Sequence, residues 1–83
     1  LSIELTKRAI KDLDALEHSQ PKYFNRIISK IQSLEDDPQS GKRLIGPLKG
    51  RRSLRVGDYR IIYETTKSII YVLTINHRRD VYK

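Results

Sequence analysis

Between Arg51 and Tyr63 the chain alternates about a central Gly57-Asp58 pair, and that pattern reads as two β-strands joined by a tight turn. In a strand, residues i and i+2 share a face. Arg51, Ser53 and Arg55 therefore fall on one side of the first strand, with Arg52, Leu54 and Val56 on the other. Across the turn, Arg60 and Ile62 oppose Tyr59, Ile61 and Tyr63. With Leu54, Val56, Ile61 and the two tyrosine rings turned to a core, Arg51, Arg55 and Arg60 converge on the open side. A sheet face bearing several guanidinium groups suits an anionic partner. This facing depends on register, because a slip of one residue would turn Arg60 inward.

The distribution of charge supports the same partner. Net charge is +7, but residues 1–37 hold six Lys/Arg against seven Asp/Glu, whereas residues 38–83 hold eleven against three. A basic excess confined to one half points to a polyanion, above all nucleic acid. No basic amphipathic helix is expected within that half, so a membrane surface is not expected. The 83 residues predict one domain, 1–83, with 37% hydrophobic residues to build its core. Cysteine is absent, which removes disulfides and thiolate chemistry and is compatible with a reducing cytoplasm. No apolar run approaches the length of a membrane span.

Ser2–Leu5 alternates as a short opening strand. Thr6 is a good N-cap for a helix in which Ile10, Leu13 and Leu16 recur at helical spacing. His18-Ser19-Gln20-Pro21 ends it and begins a second helix, proline being tolerated in a first turn. There Phe24, Ile27, Ile28, Ile31 and Leu34 form one apolar stripe, and Asp37-Pro38 closes the element. The two helices are expected to form a hairpin over one face of the sheet. Residues 39–43 read as a loop and Leu44-Ile45 as an apolar anchor. After the two central strands and a turn at 65–68, Ile69–Asn76 is apolar at nearly every position, as in an interior strand covered over much of both faces. The segment 77–83 turns polar at once. The expected fold class is α+β: N-terminal strand, helical hairpin, then a three-stranded antiparallel meander.

Several chemistries are excluded by residue content. There is no phosphate-binding glycine loop, no histidine pair at metal spacing, and the acids of the basic half, Asp58, Glu64 and Asp80, are scattered. RNA cleavage without a metal stays open, because RNA carries its own nucleophile in the 2′-hydroxyl. An enzyme then has to align it, stabilise charge on the phosphorane and manage two protons. Arg51, Arg55 and Arg60 supply cations on one face, and His77, Arg78 and Tyr82 leave the neighbouring strand. His77 and Tyr82 are the candidate proton-transfer groups, and Lys49, Arg52 and Arg79 add to the phosphate-binding set.

Leu48-Lys49-Gly50, the Leu54–Glu64 box with Gly57-Asp58-Tyr59-Arg60-Ile61-Ile62-Tyr63, and the ending Asn76-His77-Arg78-Arg79-Asp80-Val81-Tyr82-Lys83 resemble the RelE/ParE toxin superfamily, the RelE branch most closely. The resemblance covers essentially the whole chain. It implies a RelE-like, microbial ribonuclease-type fold and a toxin of a prokaryotic type II toxin–antitoxin system. Such toxins enter the ribosomal A site and cut mRNA there without metal or cofactor, leaving a 2′,3′-cyclic phosphate. On that resemblance Arg60 and Arg78 would stabilise the phosphorane, Arg78 alternatively assisting the leaving group. Tyr82 would stack on the mRNA base and orient the 2′-hydroxyl. Arg51 falls near a catalytic lysine of the family and Arg55 at a phosphate-binding arginine. An acidic, RelB-like antitoxin, the ribosome and mRNA are the implied partners. A toxin–antitoxin hetero-oligomer is the implied assembly, and the cytoplasm the implied compartment.

One position departs from the pattern. Ser53 stands where the family has a second lysine, its proposed general base, and serine cannot do that work. His77 is the preferred substitute, with Lys49 and Arg51 as others. Two further readings follow: a ParE-like toxin that inhibits DNA gyrase without nuclease activity, and an RNA- or ribosome-binding module without catalysis.

Overall fold

The computed structural model describes residues 2–46 and 50–81. Strand β1 (Ser2–Leu5) leads into helices α1 (Lys7–Ser19) and α2 (Pro21–Ser33). They are followed by β2 (Lys42–Arg43), β3 (Arg52–Val56), β4 (Tyr59–Thr65), β5 (Ile69–His77) and a final short helix, α3 (Arg78–Val81). The strands form one five-stranded sheet in the order β1-β5-β4-β3-β2. The meander β3-β4-β5 is antiparallel as expected, and β1 joins its far edge parallel to β5.

The helices form where local chemistry starts them. Thr6 caps α1, its Oγ1 accepting from Ala9 N at 3.1 Å and donating to Leu73 O at 2.6 Å. The buried stripe of α1 is Ala9, Leu13 and Leu16, while Ile10 is 46% exposed. Ile10 lies about 100° around the helix from Ala9, so it faces outward once the smaller residue has packed against the sheet. In α2 the stripe is as read: Ile27, Ile31 and Leu34 are buried, with Phe24 and Ile28 packed at the margin. This helix stops at Ser33, before the expected Asp37-Pro38. Leu34, Glu35 and Asp36 donate to carbonyls three residues back, tightening the last turn out of α geometry.

One side of the sheet carries the core. Val56, Ile61, Tyr63, Ile70, Val72 and Ile75 meet the helical stripes there. Ile70, Val72 and Ile75 lie on that side although 72 and 75 are three apart. Register slips between Ile62↔Thr74 and Tyr63↔Val72, leaving Leu73 as an extra residue in β5. This bulge resets the alternation. The expectation that β5 is covered on much of both faces is corrected: Tyr71 and Leu73 are only half-buried. The continuous apolar run reflects the bulge and the partial cover, not two packed faces.

Three further differences are confined to short segments. Lys42–Arg43, read as loop, pairs antiparallel with Arg52–Ser53 because β3 would otherwise present an open edge. Ile45 is 89% exposed and anchors nothing, whereas Leu44 is half-buried and donates its N–H to Arg51 O. The polar exit after β5 is helical from Arg78 rather than irregular.

The far end of β5 is closed by a side chain. β1 ends at Leu5↔Val72, and beyond it Asp12 Oδ2 accepts from Ile75 N at 3.0 Å and from Thr74 Oγ1 at 2.8 Å.

Candidate functional site

The turn between β3 and β4 organises the basic face. Val56 pairs with Tyr59, so the loop has two residues, Gly57 and Asp58. Of these two residues only Gly57 has a positive φ (+58°), the pattern of a type II′ hairpin with glycine first. A side chain there would also strike α2, for a Cβ on Gly57 would lie 2.6 Å from the Tyr23 ring. Tyr23 packs at 4.9 Å, tilted by 58°, against Tyr59, whose ring meets His77 edge-on at 5.0 Å. This aromatic row fixes the turn to the helix layer.

On the opposite side, Arg55 and Arg60 are direct cross-strand partners, and Arg60 is in turn opposite Asn76. Facing partners have Cβ atoms about 4.5–5.5 Å apart, and like charges so placed repel. Arg55 curls back over the turn, its Nε donating to Gly57 O at 3.0 Å. The carbonyl of Asp58 accepts from Arg78 N at 2.6 Å, which brings the start of α3 beside the hairpin. Arg55, Gly57, Asp58, Arg60 and Arg78 thus surround a cavity of about 200 Å³. Three arginines line this one cavity, and the planar, forked donors of a guanidinium suit the oxygens of a phosphate.

A second cavity, about 400 Å³, lies on the other side of Asp58 and Arg78 and is completed by His77 and Arg79. His77 Nδ1 accepts from Arg79 N at 3.1 Å. A ring nitrogen that accepts from a backbone N–H carries no hydrogen, so the neutral ring holds its proton on Nε2. His77 in this geometry offers a donor.

Comparison with known proteins decides the family. The sequence model described as the ParE toxin of type II toxin–antitoxin systems, parDE, matches residues 3–82. The chain belongs to the ParE toxin family. Its solved structural relatives include the RelBE2 toxin–antitoxin complex of Mycobacterium tuberculosis, at 27% identity and TM-score 0.81 over 93% of this chain and 96% of that one. The YoeB-YefM complex of Staphylococcus aureus is similar at 18% identity and TM-score 0.78, covering 93% and 95%. The ParDE system of P. aeruginosa is similar at 19% and 0.75, again covering 93% and 95%. The last two likenesses concern fold alone. None of the curated protein sequences compared with the chain matches it. The RelE/ParE superfamily resemblance and the α+β fold are borne out.

In this toxin the residues singled out from sequence divide into groups. Arg55, Arg60 and Arg78 share one cavity, and His77 and Arg79 border the adjoining one. Arg51 lies on the Arg60 face but about 13 Å further along the strands (four residues at ~3.3 Å each). There its Nε is 3.9 Å from Glu64 Oε2. Arg52 lies on the helix side, where its Nη1 donates to Gly41 O at 3.0 Å and Gln39 O at 3.3 Å. It ties down the 39–41 loop and is not brought to the cavity. Lys49 and Tyr82 lie outside the described residues. Ser53, at the lysine position of the resemblance, is 6% exposed and opposite Ile62.

Asp58, one of three acids scattered through the basic half of the sequence, borders both cavities of the toxin. The signal was its place in the two-residue turn, which forces it to the same end of the sheet as the arginines. Among the described residues no group of three or more His, Cys, Asp or Glu is placed to hold a metal ion. No helix among them is long and apolar enough to cross a membrane.

Proposed function

We propose that this toxin is a RelE-type, ribosome-dependent endoribonuclease that cleaves mRNA in the ribosomal A site without a metal ion or cofactor, arresting translation. The observation that carries the reading is the grouping of Arg55, Arg60 and Arg78 around one cavity of about 200 Å³. In the reaction the 2′-oxygen bonds to the adjacent phosphorus and the P–O5′ bond breaks. The products are a 2′,3′-cyclic phosphate and a 5′-hydroxyl, one proton leaving the 2′-oxygen and one reaching O5′. Negative charge grows on the phosphorane oxygens, where preorganised guanidinium donors contribute most. Arg60 and Arg78 take that role, with Arg55, Arg51, Arg79 and Lys49 holding the strand and Tyr82 stacking on a base. His77 Nε2–H serves as a further donor, and Asp58 is the acid at hand to accept the 2′ proton. An acidic antitoxin covers the basic face in a cytoplasmic toxin–antitoxin complex.

Primer extension on programmed ribosomes tests this, with naked RNA as control. Wild type should cut at the A-site codon and leave the naked RNA intact. Arg60→Ala should lower the rate by about 10²–10³-fold, the loss typical for one transition-state donor. Uncut mRNA with folded wild type would defeat the reading.

A second reading has one observation in its favour. Ser53 places a buried hydroxyl, not an ammonium, in the middle of the arginine face. A ParE-like toxin that binds gyrase needs no base there, and inhibition of DNA supercoiling by wild type and Arg60→Ala alike would support it.

A further inference from the structure

A groove of about 450 Å³ runs between α2 and the β3–β4 turn, bounded by Arg26, Ser29, Lys30 and Ser33 on the helix and by Arg55 and Gly57 on the hairpin. Arg55 and Gly57 border both this groove and the three-arginine cavity, so the two adjoin at the turn. We infer that this groove is a second RNA-backbone track, taking phosphates of the strand adjoining the one held by Arg55, Arg60 and Arg78. The inference rests on the reading of that cavity as an RNA-phosphate site.

Four features argue for it. Arg26, Ser29, Lys30 and Ser33 follow the spacing i, i+3, i+4, i+7 and so form one stripe of α2, separate from the buried Ile27 and Ile31. Arg26 and Lys30 are one turn apart, about 6 Å of rise, comparable to the step between phosphates of an extended strand. No acid borders the groove. Arg26 is also held in place: its guanidinium carbon sits 5.2 Å from the centre of the Tyr23 ring, which packs on Tyr59 and against Gly57. The bracing ties the helix cation to the same turn that positions Arg55, lowering the ordering cost of a phosphate contact. A linear polyanion with evenly stepped charges matches this path better than an acidic peptide, whose carboxylates project at irregular intervals.

The test uses full-length toxin and 2′-O-methyl RNA, which cannot be cleaved, so binding is read apart from turnover. Fluorescence anisotropy compares a labelled trinucleotide, hexanucleotide and nonanucleotide with wild type and R26Q/K30Q. The wild type should bind the longer strands more tightly. The double variant should match it on the trinucleotide and lose about tenfold on the nonanucleotide. Its slope of log K against log salt should be shallower by about 1.4, or ~0.7 for each of two phosphates. Both residues are exposed, and R26K/K30R, which keeps the charges, should restore the length dependence. An unchanged length dependence in R26Q/K30Q, or wild type that binds only an acidic peptide or no RNA at all, would overturn the track. A lost length gain in a toxin that cuts no mRNA would uphold the track while the cleavage reading fell.

Discussion

Arg55 and Arg60 face one another directly across the β3–β4 ladder, two cations side by side on the sheet surface away from the helices. Like charges directly opposite one another repel, and an anion bound between them lessens that repulsion. At low ionic strength Arg55→Gln should leave stability unchanged or raise it by up to about 1 kcal/mol. Inorganic phosphate should raise the melting temperature of wild type more than that of the variant. Equal shifts in thermal melts would count against an anion site at the pair.

Gly57 answers to two constraints, a positive φ and the Tyr23 ring in the space of its missing Cβ. Gly57→Ala should cost about 1–3 kcal/mol in urea unfolding. It should also weaken RNA binding, since the turn carries Arg55 and its neighbour Asp58 holds Arg78.

The hydroxyl of Tyr63 donates to Pro38 O at 3.0 Å and accepts from Gly41 N at 2.8 Å beneath the loop before β2. Tyr63→Phe keeps the ring and leaves the Gly41 N–H without its acceptor. A loss of about 1–3 kcal/mol is expected from chemical denaturation, with little change in RNA affinity.

Asp12 completes the free edge of β5, bonding Ile75 N and Thr74 Oγ1. Asp12→Ala should destabilise by about 1–3 kcal/mol. Hydrogen exchange should accelerate at Ile75 before it does at Val72, whose strand edge is covered by β1. Uniform acceleration would mean the carboxylate closes no local edge.

Proton transfer separates Asp58 from His77. Asp58→Asn should lower A-site cleavage by about 10²-fold or more, within the usual range for a general base. His77→Gln, which can keep a hydrogen-bonding side chain, should cost less than about tenfold. The opposite ranking in single-turnover rates would mean that the His77–Arg79 bond opens during catalysis and frees the ring as base.

Local rules carried much of the fold. The Gly57-Asp58 turn, the Thr6 cap, the Gln20-Pro21 break between helices and the α2 stripe are each decided within a few residues, and each stands where expected. The facing of Arg51, Arg55 and Arg60 followed from period-two alternation through a strand without a bulge. Where interactions reach across the chain, local pattern was silent. Ile10 and Ala9 both fit a helical stripe, and only the approach of α1 to β5 chose the smaller one. Lys42 and Arg43 have no strand signal of their own and pair because β3 offers an edge.

The candidate site divides along the same line. The sequence alone determined that a cationic sheet face exists and that Arg55 and Arg60 share it, because side-chain alternation is a property of the strand itself. Tertiary structure decided which cations act together. The Leu73 bulge sets the register that puts Asn76 beside Arg60, and the bond from Arg78 N to Asp58 O draws α3 to the turn. The same packing leaves Arg51 with Glu64 and turns Arg52 to the 39–41 loop. Neither a register shift nor a contact between residues twenty apart leaves a mark in local periodicity. Both arise from what the assembled sheet must satisfy.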